Sequence, residues 1–118
     1  MSGRGGGPGT RAVHAGYAPA GHLGAAAPPL YQTATFVAPD TETLEAINSG
    51  ARRGFVYSRI RNPTVLAAEQ RMAALEEAES AVAFASGMAA IAGALAPILA
   101  AGDEVVSLPD LYGGTKRY

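Results

Sequence analysis

Residues 80–102 run without a charged side chain, and the run changes character at one place, Ser86-Gly87. Ahead of it, Ala81, Val82, Ala83, Phe84 and Ala85 form a short apolar stretch of the kind that makes a buried strand. Behind it, an alanine-rich stretch favours helix. A strand that turns directly into a helix aims the helix's unpaired backbone N–H groups at one point, where an anion is favoured. Glycine at position 87 lets a ligand approach the backbone closely. The junction therefore limits the fold to layers of strands and helices, and makes Ser86, Gly87 and Met88 a first candidate phosphate cradle. An ordinary strand-to-helix turn has the same outline, so the junction needs company to mean more.

Composition narrows the function classes. The net charge of −1 over 118 residues argues against a nucleic-acid or acidic-membrane partner recruited by bulk electrostatics. The absence of cysteine excludes disulfides, thiolate metal sites and cysteine nucleophiles. His14 and His22 lack metal-ligand spacing, so no metal site is expected and a structural or solvent role suits each. Residues 80–102 are long enough to cross a bilayer, but alanine and glycine dominate and no basic cluster or aromatic belt flanks them. No membrane segment is expected, and the location expected is cytoplasmic. Residues 1–9 are glycine-rich without an apolar signal core and read as a disordered leader.

Between residues 10 and 39 no helical period appears, and the segment reads as an extended arm that docks on another surface. Asp40 is placed to cap a helix over residues 41–47, which Asn48-Ser49-Gly50 ends. Residues 55–58 read as extended. Asn62-Pro63 then opens a second helix, with Asn62 as the cap and Pro63 in the first helical position. Val65, Ala68, Met72 and Leu75 fall on one stripe of it, which predicts the buried face. Residues 80–85 and 104–108 are expected as buried strands, with a helix over residues 87–101 that Pro97 weakens. The order helix–strand–helix–strand predicts an α/β layer with a mostly parallel sheet. The boundaries are a leader 1–9, an intersubunit arm with a short helix 10–62, and the start of a larger domain 63–118.

Two further clusters stand near the junction in the sequence. Tyr57 and Arg59 pair a planar guanidinium fork with a neutral hydroxyl donor, a combination suited to phosphate. Tyr112 follows the second expected strand, where α/β proteins place ligands, and Gly113 and Gly114 leave room beside its ring. A phosphate cradle, an Arg/Tyr pair and an aromatic plate suit a flat, phosphorylated molecule. Each cluster also has a plain structural reading when taken alone.

Together the motifs Tyr57-Ser58-Arg59-Ile60-Arg61-Asn62-Pro63-Thr64, Ala85-Ser86-Gly87-Met88-Ala89-Ala90 and Leu111-Tyr112-Gly113-Gly114-Thr115 resemble the Cys/Met-metabolism family of pyridoxal-phosphate enzymes. The segment Pro28-Pro29-Leu30-Tyr31-Gln32-Thr33-Ala34-Thr35-Phe36 resembles that family's N-terminal arm. The resemblance runs from about residue 10 to the last residue. It implies the N-terminal part of a fold-type-I transferase and pyridoxal 5'-phosphate as cofactor. In that picture Gly87 and Met88 give backbone N–H groups to the cofactor phosphate. Tyr57 and Arg59 reach the phosphate held by a neighbouring subunit. Tyr112 stacks on the pyridine ring and helps a proton reach the leaving group.

The resemblance also implies a small sulfur amino acid as substrate and a homo-oligomer, a dimer of dimers. The reaction is γ-elimination of the cystathionine or methionine γ-lyase type; γ-replacement, of the cystathionine γ-synthase or O-acylhomoserine sulfhydrylase type, is the alternative. The family forms a Schiff base on a lysine far downstream, whereas the only lysine here, Lys116, stands beside the Tyr112 motif and receives no catalytic role. These residues accordingly read as the front part of a longer protein. The remaining reading is that residues 1–118 by themselves are an inactive product or an interaction module.

Overall fold

The computed structural model describes residues 6–118; residues 1–5 of the expected leader lie outside the described residues. The chain divides into two units, Met1–Val82 and Ala83–Tyr118. In the first, helix α1 (Pro8–His14) is followed by a 3₁₀ turn (Pro19–His22), α2 (Thr41–Asn48) and α3 (Pro63–Leu75). The second holds α4 (Gly87–Leu95) and a closing 3₁₀ turn (Thr115–Arg117).

Asn62 organises the first unit. Only 8% exposed, it uses every polar atom of its side chain. Its carbonyl oxygen accepts from the Thr64 N–H at 2.8 Å and so caps α3, with Pro63 in the first turn as the sequence predicts. Its amide nitrogen donates to the Tyr31 carbonyl and to the Ser58 hydroxyl, both at 2.9 Å. The Thr64 hydroxyl accepts from the Tyr31 N–H at 2.9 Å and donates to the Pro29 carbonyl at 3.1 Å. Ser58 passes its own hydroxyl hydrogen to the Thr33 carbonyl. The arm is thus fastened to the start of α3 through side-chain amides and hydroxyls. An antiparallel bridge between Thr35 and Tyr57 adds backbone bonds, Phe36 N–H to Val56 at 3.0 Å and Ser58 N–H to Ala34 at 2.9 Å.

The arm is less extended than its sequence suggests. Pro8 and Gly9, expected in the leader, begin α1. That helix packs on α3, and Gly16 behind it approaches so closely that a Cβ would lie 2.8 Å from the Ala67 carbonyl oxygen. With φ at +71°, position 16 also favours glycine for its backbone. Arg71 of α3 donates from Nε to the Ala15 carbonyl at 3.1 Å. An aromatic series continues the contact: Tyr17 stacks on His22 at 5.1 Å, and His22 Nδ1 meets the Tyr31 hydroxyl at 2.7 Å. Phe36 packs between Tyr31 and Phe55. His22 is a structural residue, in keeping with its reading from sequence.

This packing overturns the expected buried stripe of α3. Val65, Ala68 and Met72 are exposed, while Ala73 is buried and Leu66 half-buried. Alanine occurs on several sides of the helix (Ala67, Ala68, Ala73, Ala74), so the apolar faces are nearly equivalent by period alone. The docking of α1 chooses between them. At its end the Ala78 N–H returns to the Ala73 carbonyl at 2.9 Å and Glu77 takes a left-handed φ of +56°, a C-terminal motif that glycine more often serves. The Glu77 carboxylate is held by Arg11 of α1 at 2.8 Å.

The expected sheet is absent among the described residues. Residues 80–85 and 104–108 are not laddered as strands, and Val82, Phe84, Val105, Val106 and Leu108 are exposed. A helix satisfies its backbone within its own segment, whereas a strand requires a neighbour, so strand propensity alone makes no sheet. The helix expected over residues 87–101 ends at Leu95. Pro97 has no N–H with which to continue the ladder, and only a turn follows, with the Ile98 and Leu99 N–H groups on the Leu95 carbonyl. Gly102, at φ +100°, then reverses the chain, and Asp103 accepts from the Ala100 N–H at 2.7 Å.

Asn62→Ala removes the α3 cap and strips the Tyr31 carbonyl of its donor, so urea unfolding should show a loss of about 2–3 kcal/mol. A second expectation concerns acid. Asp40 caps α2, and the Thr43 N–H bonded to it at 2.6 Å holds its carboxyl below the usual carboxylate range. A lowered folded pKa contributes stability above the unfolded value of about 3.9 and loses it as pH falls through the folded value. The α2 carbon chemical shifts should therefore move toward coil in that acid window. Asp40→Asn should remove the dependence.

Candidate functional site

The first turn of α4 is where the second unit concentrates its chemistry. Ser86 has extended backbone and caps the helix: its hydroxyl accepts from the Ala89 N–H at 3.2 Å and its carbonyl from the Ala90 N–H at 3.0 Å. The first four N–H groups of a helix lack intrahelical partners. The Ala90 bond is the first of the helix ladder and the Ser86 hydroxyl serves Ala89, which leaves the N–H groups of Gly87 and Met88. Among the described residues neither N–H has a protein acceptor. They lie side by side at the positive end of the helix dipole, the arrangement that favours an anion.

Glycine at 87 has no explanation inside the fold. Its φ lies outside the left-handed region, and an added Cβ would meet no atom within 4 Å. The space that a Cβ at position 87 would take is open. At Gly93 the opposite holds, because a Cβ there would overlap the Phe84 ring. One glycine of α4 is required by packing and the other is not.

Tyr112 comes to the same end of the helix. A Cβ on Gly114 would lie 2.7 Å from Tyr112 Cε1 and 3.2 Å from Met88 Sδ, so ring and sulfur both lie against this glycine. Thr115 donates its hydroxyl to Met88 Sδ at 3.6 Å. The Tyr112 ring is 74% exposed, and among the described residues its hydroxyl has no partner. Sequence reasoning gave Gly113 and Gly114 one common purpose, but only Gly114 is needed for the ring, since Gly113 has nothing within 4 Å. It missed the side chains of Met88 and Thr115. The only signal was their place inside motifs already singled out.

Tyr57 and Arg59 belong to the first unit and are described there. The Arg59 guanidinium lies 5.0 Å from the centre of the Tyr57 ring, a cation–π contact that presents a fork and a hydroxyl together. The Tyr57 carbonyl accepts from the Ile60 and Arg61 N–H groups at 2.9 and 3.0 Å, which folds this segment into a tight turn ahead of Asn62. Among the described residues no carboxylate pairs with Arg59. A cleft of about 860 Å³ between the arm and α3 is lined by Tyr17, His22, Arg61 and Leu66 among others, and holds none of the five candidate residues.

A cradle of two free N–H groups, a flat exposed aromatic beside it and an Arg/Tyr pair elsewhere form a consistent set. The model of a family described as Cys/Met metabolism PLP-dependent enzyme matches residues 9–118. The chain belongs to this family. It is 51% identical over 106 residues to an L-methionine gamma-lyase of Pseudomonas putida, covering 90% of this chain and 27% of that protein. It is 47% identical over 111 residues to a cystathionine gamma-synthase of Mycobacterium bovis, covering 94% of this chain and 27% of the relative. An O-acetyl-L-homoserine sulfhydrylase of Corynebacterium glutamicum is 43% identical over 107 residues, 91% of this chain and 24% of its own. The crystal structure of metB from Corynebacterium glutamicum matches with a TM-score of 0.84 at 39% identity, over 99% of this chain and 29% of that one.

The chain thus spans about a quarter of the length of these curated relatives. The family depends on pyridoxal phosphate. The residues present suit that cofactor: a phosphate calls for the free N–H pair and the unfilled space at Gly87, and a pyridine ring calls for a flat, exposed aromatic. Among the described residues no helix is long and apolar enough to cross a membrane.

Ser86→Ala removes the side-chain cap of α4 and should cost about 1 kcal/mol in denaturant unfolding, with Ser86→Asp recovering most of it.

Proposed function

We propose that the full-length protein is a cytoplasmic, homo-oligomeric pyridoxal-phosphate enzyme that eliminates the γ-substituent of a sulfur amino acid. The observation that carries this reading is the pair of unpartnered N–H groups on Gly87 and Met88, with Tyr112 held at the same helix end. In this proposal the two N–H groups bind the cofactor phosphate. Gly87 keeps their approach open. Tyr57 and Arg59 reach the phosphate held by a neighbouring copy of the chain, and the arm joins the copies. Residues 80–85 and 104–108 enter a mostly parallel sheet in the whole protein, with backbone partners from its other segments.

When bound, the cofactor supplies an electron sink for negative charge developing at the substrate's α-carbon. Tyr112, with its exposed side chain, would pack against the cofactor's ring and orient it. The Tyr112 hydroxyl, free of protein partners among the described residues, is available to move a proton to the departing sulfur. Replacement at the γ-carbon is the second reading, supported by the likeness to a cystathionine gamma-synthase and a sulfhydrylase. The third, that residues 1–118 alone are inactive, rests on the absence of any lysine but Lys116.

The full-length protein with added pyridoxal phosphate should develop visible absorbance and release ammonia and a thiol from cystathionine. Net transfer of a thiol onto an O-acylhomoserine, without ammonia release, would establish replacement instead. A protein that stays colourless with the cofactor would sink both. Tyr112→Phe should lower kcat about a hundredfold or more, the scale of a lost proton donor, with a much smaller effect on cofactor affinity. Gly87→Ala should leave the melting temperature of the cofactor-free protein unchanged and weaken cofactor binding.

A further inference from the structure

We propose that the Met88 thioether, Gly114 and the Thr115 hydroxyl form a positioning device that sets the Tyr112 ring relative to the α4 N-terminus. The inference deepens the proposed role of Tyr112 and rests on it. An aromatic ring 74% exposed, with a hydroxyl that has no protein partner among the described residues, has little to hold it in one rotamer. The loop supplies the restraint. Thr115 donates to Met88 Sδ at 3.6 Å, and Gly114 lets the Tyr112 ring edge and the sulfur settle on the same stretch of backbone. The 3₁₀ turn then closes the loop on itself, with the Lys116 N–H on the Tyr112 carbonyl and the Arg117 N–H on the Gly114 carbonyl, each at 3.2 Å.

Met88 is the link. Its N–H is one of the two free donors of the cradle, and its side chain is the anchor of the aromatic loop. One residue therefore couples the anion end of the site to the ring end. A thioether suits the task because it is polarizable, accepts a hydroxyl hydrogen weakly and packs against an aromatic edge. A side chain at position 114 shifts the arrangement. A Cβ 2.7 Å from ring carbon Cε1 pushes the Tyr112 ring away, and one 3.2 Å from Sδ crowds the anchor as well.

The test places 3-fluorotyrosine at position 112 of the full-length protein and reads its fluorine resonance with and without pyridoxal phosphate. Thr115→Val keeps the shape and loses the O–H, so the cofactor-free resonance should shift or broaden, and Thr115→Ser should restore it. Gly114→Ala should displace it further. Cofactor affinity should fall about two- to tenfold in Thr115→Val, the range of a sulfur contact, and recover in Thr115→Ser. A resonance indifferent to Thr115→Val in a folded protein overturns the device, even if it responds to pyridoxal phosphate. A resonance that moves with Thr115→Val but ignores the cofactor upholds the device and removes Tyr112 from the cofactor's face.

Discussion

The first unit depends on keeping one amide side chain dry. Asn62 sits where α3 begins and where the arm returns, and it serves both with a single planar group. Leaving any of those groups unpaired in a buried place costs as much as several exposed contacts provide. The arm has few apolar side chains to bury, and it includes glycine, proline and alanine at many positions. Its course is set by the ring contacts from Tyr17 to Phe55 together with carbonyls that find donors. Pro29, Tyr31 and Thr33 find them on Thr64, Asn62 and Ser58. The same turn carries Tyr57 and Arg59, so the polar hub that fastens the arm also presents the pair proposed to reach a neighbouring copy's cofactor.

The second unit follows the complementary logic. Its notable groups are those the fold leaves unpaired. Ser86 satisfies the N–H groups of Ala89 and Ala90, and the structure leaves Gly87 and Met88 for something outside the chain. A protein keeps such donors when a ligand completes them, and the open space at Gly87 fits that account. Tyr112 follows the same rule, with an exposed ring and a hydroxyl unpartnered among the described residues. Membership in a pyridoxal-phosphate family is what supports the proposal that these groups serve one cofactor.

Much of this was legible from residues alone because it is local. The caps at Asp40, Asn62 and Ser86 each need only a short polar side chain and the next few N–H groups. The turn at Gly50 needs only a positive φ, whereas the helix expected to run past Pro97 to residue 101 ends at Leu95. Gly87, Met88 and Tyr112 could be singled out as candidates for the same reason, since each stands at a junction that its neighbours define. What failed was non-local. The stripe through Val65 and Met72 had the right period, but the partner that covers α3 is α1, and it takes the side with Ala73. The strand patterns of residues 80–85 and 104–108 had the right composition and join no ladder among the described residues.

By itself the sequence determined the starts and caps of α2, α3 and α4, though not α1. These rest on interactions spanning a few residues, which one chain segment contains in full. Only the tertiary structure decided which face of α3 is buried, that Arg71 turns in to the Ala15 carbonyl, and that the Thr115 hydroxyl meets the Met88 sulfur. Those outcomes depend on atoms brought together from distant positions. No period or motif encodes a contact whose second partner lies elsewhere in the chain.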